Sequence, residues 1–184
     1  PVTEQDGALF HLDAADYDGS STRRSADLRT NYDRVEFRVI DDASGCTVPN
    51  LKGLYDPQHS VLRIEGLREG DYRLLVLGMR GDWSQDGVEV HPIGHVDEQW
   101  VSFPEDLGKP LAAEYFYSQT PFTVRVTTTA AGEVSSVVTG TQTTQQRIIG
   151  RADFDFTYTN PYIRTALVSL RATLGGARFR TGMT

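Results

Sequence analysis

Residues 61–78 read VLRIEGLREGDYRLLVLG, two alternating apolar runs joined by a charged, glycine-bearing connection. Leu62 and Ile64 share one face of the first run, and Tyr72, Leu74 and Val76 share one face of the second. Arg73 points away, while Leu75 and Leu77 keep the opposite face of that second run partly apolar. Side chains alternate sides along a strand, so this spacing specifies a face to bury. Gly66 and Gly70 supply backbone freedom for the connection, and the whole reads as a β-hairpin.

The same texture recurs along the chain. Ala8–Leu12 predicts a short strand, followed by a polar, exposed loop from Asp13 to Thr30. From Tyr32 to Ile40, Val35, Phe37 and Val39 face one way and Glu36 and Arg38 the other. Leu51–Tyr55 and Val61–Glu65 read as short strands around a turn set by Pro57. A long irregular excursion is expected over Val88–Pro110, which carries Pro92, Gly94, Pro104 and Gly108. Leu111–Ser118 fits a helical turn or a strand, and Phe122, Val124 and Val126 alternate with Thr123, Arg125 and Thr127. Arg147–Tyr158 gives the clearest long strand, and Thr165–Leu174 reads as another, closed by a tight turn at Gly175-Gly176. About eight to ten strands with little helix predict an all-β fold, an antiparallel sandwich with Greek-key connections. Residues 1–31 form an N-terminal strand and exposed loop, residues 32–184 the sandwich, and the two together a single domain.

Composition narrows the function. Hydrophobic residues make up 39% and charged residues 23% of 184, the balance of a soluble globular chain with a sizeable core. A net charge of −7 disfavours nucleic acid and anionic membrane, both of which need a basic patch. No run approaches the roughly 18 apolar residues of a membrane span. Cys46 is the only cysteine, so no internal disulfide forms. With Pro1 in first place, the expectation is a processed or truncated product.

Candidate chemistry is sparse. His91 and His95, with Asp97 and Glu98 behind them, are ligand types for zinc, but Pro92 and Gly94 argue against the helix that would align them, and a solvated loop is the plainer reading. Asp13, Asp16 and Asp18 ahead of Gly19 miss the spacing of a calcium loop. Cys46 has no evident His partner and reads as a small buried residue. No nucleophile elbow, phosphate loop or dinucleotide fingerprint is present, so no catalytic residue and no cofactor is expected. Trp83 and Trp100 are candidates for stacking on sugar rings, against core packing as the commoner role of such aromatics.

The order of segments resembles the N-terminal domain of fimbrillin-like proteins, the subunits of type V pili. The residues carrying the resemblance are Gly70-Asp71-Tyr72 running to Gly78, Phe116-Tyr117 through Phe122-Thr123-Val124, and Arg147 or Arg151 ahead of Phe154. It covers roughly residues 32–174. It implies a transthyretin-like β-sandwich, exported to the cell surface or outer membrane and lipid-anchored as a precursor. The protein would serve as a pilus or adhesion subunit whose partners are other pilus or surface proteins, or a host protein or glycan. It further implies a second, C-terminal sandwich, either absent or left out of this stretch of chain, and maturation by cleavage after an arginine in an early loop, where Arg23, Arg24 and Arg29 stand. Removing an edge strand there would expose backbone groups that another chain can satisfy. The alternative function is a carbohydrate-binding accessory domain using Trp83 and Trp100.

Overall fold

The computed structural model describes residues 7–15, 31–104, 111–128 and 134–148. Among them 62% lie in strands and none in a helix, so the chain is all-β. The strands are β1 (Ala8–Ala15), β2 (Arg34–Asp41), β3 (Lys52–Asp56), β4 (Val61–Glu65), β5 (Gly70–Gly81), β6 (Glu89–Val90), β7 (Val101–Ser102), β8 (Ala113–Thr128), β9 (Val134–Thr139) and β10 (Gln142–Arg147). One sheet runs β2-β5-β8-β10-β1-β4-β3, with β9 also on β8, and β6-β7 form a separate pair.

The organising strand is β5. Tyr72, Leu74 and Val76 on one face join a core with Phe10, Leu12, Leu62, Ile64, Phe116 and Phe122. Leu75, Leu77 and Met79 on the other join a second core with Ile40, Trp100, Val101 and Tyr115. A strand apolar on both faces must lie inside a sheet and be covered from both sides. Accordingly β5 pairs along its full length with β8 and over eight residues with β2.

This overturns the hairpin expected over residues 61–78. β4 pairs with β1 and β3, and β5 pairs with β2 and β8, so the two runs lie far apart in the sheet order. The connection at Gly66, in the left-handed region at φ 92°, carries the chain across instead of folding it back. β4 instead forms a hairpin with β3, around a turn in which the Asp56 carboxylate accepts from the Gln58 amide at 2.8 Å. The sheet is also not purely antiparallel: β1 runs parallel to β10, from His11 beside Gln142 to Ala15 beside Gln146. Of Leu111–Ser118, whose sequence fits a helical turn or a strand, the residues from Ala113 on are in β8. β10 ends at Arg147, where the strand expected over 147–158 would begin; Ile148 is not in a strand, and the residues beyond it, with the strand expected at 165–174, lie outside the described residues.

The sheet curls until its end strands β2 and β3 meet, nearly closing a barrel. They meet by side chains. The Phe37 ring lies where a Cβ on Gly53 would stand, and the Tyr32 amide donates to the Tyr55 hydroxyl at 2.8 Å. On β10 the inward positions are polar. Buried Gln145 donates to Ser118 Oγ at 3.0 Å and accepts from the Tyr32 hydroxyl at 3.1 Å, while Thr143 and Ser118 hydroxyls lie 2.8 Å apart. Every buried polar group of this row therefore has a partner.

Candidate functional site

Between β5 and β8 the chain leaves the sheet and returns as a flap, residues 82–104, laid over the second apolar face. Trp100, fully buried, anchors it against Tyr117 at 5.8 Å between ring centroids, and Phe103 meets Tyr115 edge-on at 5.2 Å. The flap's own scaffold is the β6-β7 pair, extended where the His91 amide donates to the Trp100 carbonyl at 2.7 Å. Its far end is stitched to residues 45–47: the Val96 amide donates to the Gly45 carbonyl, and the Thr47 amide and hydroxyl both donate to the Gly94 carbonyl. The excursion expected from its prolines and glycines is thus real, but it is a cover and not a free loop.

Buried side chains hold the flap's other end. Asp86, 7% exposed, accepts from the amides of Ala112 and Ala113 at 2.7 and 3.0 Å and from the Tyr115 hydroxyl at 2.8 Å. Burial and this carboxylate both push the Tyr115 phenol well above its ordinary range, because ionising it would set two negative charges together. Arg38, on the outward face of β2, is likewise fully covered by the flap and donates to the His91 carbonyl. Its Nε and Nη1 have no hydrogen-bond partner among the described residues. Burial lowers its pKa, with Glu98 and Tyr117 opposing that shift. Sequence spacing placed Arg38 on the polar face of its strand. The signal that this face would be covered lay in Leu75 and Leu77, its neighbours on β5.

Where the flap passes β2 it leaves a depression of about 190 Å³. Met79, Val88, Val90 and Pro92 give it apolar walls, and Trp83, Arg34 and Glu36 form its rim. Arg34 and Glu36 pair with each other, the Arg34 Nε to Glu36 Oε1 distance being 2.7 Å. The Arg34 guanidinium also lies over the Trp83 indole, 5.4 Å from its centroid.

The two tryptophans expected as a sugar platform are not one site. Trp100 is core, with no face left for a ring to stack on, which corrects its assignment as a glycan contact. Trp83 is half-buried and already carries Arg34 on one face. Nor do the other candidates converge. His91 lies 3.0 Å from the Ser102 hydroxyl, and His95 faces Asp97 at 3.3 Å. Among the described residues no three His, Cys, Asp or Glu side chains gather as a metal site would require. Cys46 is exposed, contrary to the buried position expected of it, because the strand-like pairing with His95 uses its backbone and leaves the side chain outside. Asp13 sits exposed on β1, its carboxylate 3.4 Å from the Gln142 amide, while Asp16 and Asp18 lie outside the described residues. Arg23, Arg24 and Arg29 also lie outside them, in the stretch that joins β1 to β2.

No helix among the described residues is long and apolar enough to cross a membrane. Comparison with protein-family models, with characterised proteins and with solved structures returns no match.

Proposed function

We propose that this chain is a cell-surface structural or adhesion protein, a fimbrial subunit or accessory component built on a transthyretin-like sandwich. It acts by non-covalent strand addition and surface contacts, with other pilus or surface proteins as partners. The observation that carries this reading is the place of β1. It lies between β10 and β4, inside the sheet, and is joined to β2 by the segment holding Arg23, Arg24 and Arg29. A cut in that segment would break the covalent link from β1 to β2, leaving β1 held to the sheet by non-covalent contacts, its ladders and the burial of Ala8, Phe10 and Leu12 among them. Fully burying a side chain such as Phe10 or Leu12 contributes about 1.5–3 kcal/mol, enough to seat a strand and little enough for another to replace it. Removal of β1 would uncover two strand edges at once, the template that an incoming strand completes.

The test is native digestion of the whole chain with an arginine-specific protease, followed by addition of a biotinylated peptide copying residues 7–15. The expected result is cleavage within 23–29 with the fold retained, and uptake of the peptide by cleaved protein only. Resistance of that stretch, or cleaved protein that never exchanges its first strand, overturns the proposal.

A further inference from the structure

The part of the flap from Val88 to Phe103 leaves the body of the molecule and returns to it at one place. A Cβ on Gly87 would stand 3.3 Å from Pro104 Cγ, so the two ends of this segment lie side by side. Gly87 holds φ 63°, in the left-handed region that glycine enters without strain. Just outside this waist, Asp86 is fixed to the Ala112 and Ala113 amides, so the root stays with the sheet. Inside it, the β6-β7 pair is separate from the main sheet. The far tip is latched to residues 45–47. The Val96 amide donates to the Gly45 carbonyl at 2.8 Å, the Thr47 amide to the Gly94 carbonyl at 3.0 Å, and the Gly94 amide to the Thr47 hydroxyl at 3.1 Å.

Two opposing effects meet beneath this segment. Trp100, Val101 and Phe103 pack on a floor made by Leu75, Leu77 and Tyr115, which favours the closed position. Against it stands Arg38, a full charge sealed from water. Its guanidinium donates to the His91 carbonyl, but its Nε and Nη1, like Trp100 Nε1, are buried without a hydrogen-bond partner among the described residues. A buried charge with unmet donors is destabilised relative to a hydrated one, so lifting the segment relieves it. A cover held by apolar packing and a latch at its tip, and opposed by a buried charge, opens at a lower free energy than the sheet beneath it.

We infer that residues 88–103 form a lid that opens as one cooperative unit about the waist at Gly87 and Pro104, releasing its tip from residues 45–47 and bringing Arg38 and the apolar floor into water. Closed, it hides an apolar face of the sheet. Open, it presents Leu75, Leu77 and Tyr115 beside a hydrated guanidinium. The lid lies on the second core, whereas Phe10 and Leu12 of β1 belong to the first, so it stands or falls independently of the β1 slot.

Native-state amide hydrogen exchange on the isotope-labelled full chain reads the opening. The His91, Val96 and Thr47 amides, bonded within the lid or across its latch, are expected to share one protection factor. It should lie at least tenfold below that of the Leu75 and Leu77 amides, and below that of the Ala113 amide held by Asp86. Arg38→Met keeps the bulk and removes the charge, and is expected to raise lid protection at least tenfold. Cys46 and His95 face each other as an antiparallel pair without mutual hydrogen bonds. The Cα atoms of such pairs lie about 4.5 Å apart, within the range of about 4.4–6.8 Å that a disulfide spans. Oxidising a His95→Cys variant is therefore expected to tie the tip down and slow the same three amides at least tenfold, and reduction to restore them. Protection factors that differ among the three by more than tenfold, or that equal those of Leu75 and Leu77, overturn the inference. So does lower protection in Arg38→Met, or a bridged lid that exchanges as fast as the reduced one.

Discussion

Asp86 has the environment of a keystone at the residue scale. Its carboxylate is the single acceptor for two backbone amides and a phenol, all at the point where the flap rejoins the sheet as β8. Hydrogen bonds to a charged group contribute about 1.5–3 kcal/mol each, and donors left buried without a partner cost about 1–3 kcal/mol. These terms overlap, so Asp86→Ala is expected to lose about 3–4 kcal/mol of stability, and Asp86→Asn less, because one oxygen still accepts. Urea unfolding reads this as a lower midpoint at constant slope. A loss under 1 kcal/mol for the alanine variant would mean that water replaces the carboxylate freely.

Elements in this fold are defined by what lies beside them, and β10 is the instructive case. Its inward residues, Thr143 and Gln145, are polar, and the strand is buried only because Ser118, Thr120 and Tyr32 meet them with hydroxyls. Breaking one partner should therefore cost more than removing both. Gln145→Leu is expected to destabilise by about 1–3 kcal/mol, since it strands the Tyr32 hydroxyl, whereas adding Tyr32→Phe should recover a good part of that loss. A double-mutant cycle showing strict additivity would contradict the pairing. The same strand shows why sequence reading stopped where it did. Alternation is plain in β2, β5 and the Phe122–Thr127 part of β8, where apolar residues face a core, and unreadable in QTTQQR, where the core face is itself polar. Pairing was harder still. Residues 61–78 carry two real strands, but which strands they join depends on residues far away in the chain. The apolar second face of β5 was visible as Leu75 and Leu77, and its consequence, a cover anchored by Trp100 and a buried Arg38, was not drawn from it. The candidate site followed the same rule: Trp83 was found by residue type, and Arg34, Glu36 and Met79 only by the fold that surrounds it.

Among the described residues of the whole molecule, the three phenols shifted furthest tie stability to alkaline pH. Tyr32 sits in the first core beside Gln145, and Tyr115 and Tyr117 pack under the flap on either side of β8's Phe116. Burial raises all three pKa values, with the Asp86 carboxylate adding to the shift at Tyr115 and nearby arginines offsetting part of it at Tyr32 and Tyr117. An unfolded tyrosine ionises near pH 10. Each phenol is therefore protonated in the folded chain where the unfolded chain would already have lost its proton. The folded form then binds more protons, and stability falls as pH rises through and beyond about 10. Below that pH both states hold the proton and the three groups add no pH dependence. Denaturant midpoints measured from pH 8 upward should accordingly be flat at first and then decline. Absorbance of tyrosinate should lag behind that of free tyrosine and then rise in step with the loss of circular dichroism. Three phenols titrating smoothly near pH 10 in the folded protein would place those rings in water, and the two-core architecture with its flap would be wrong.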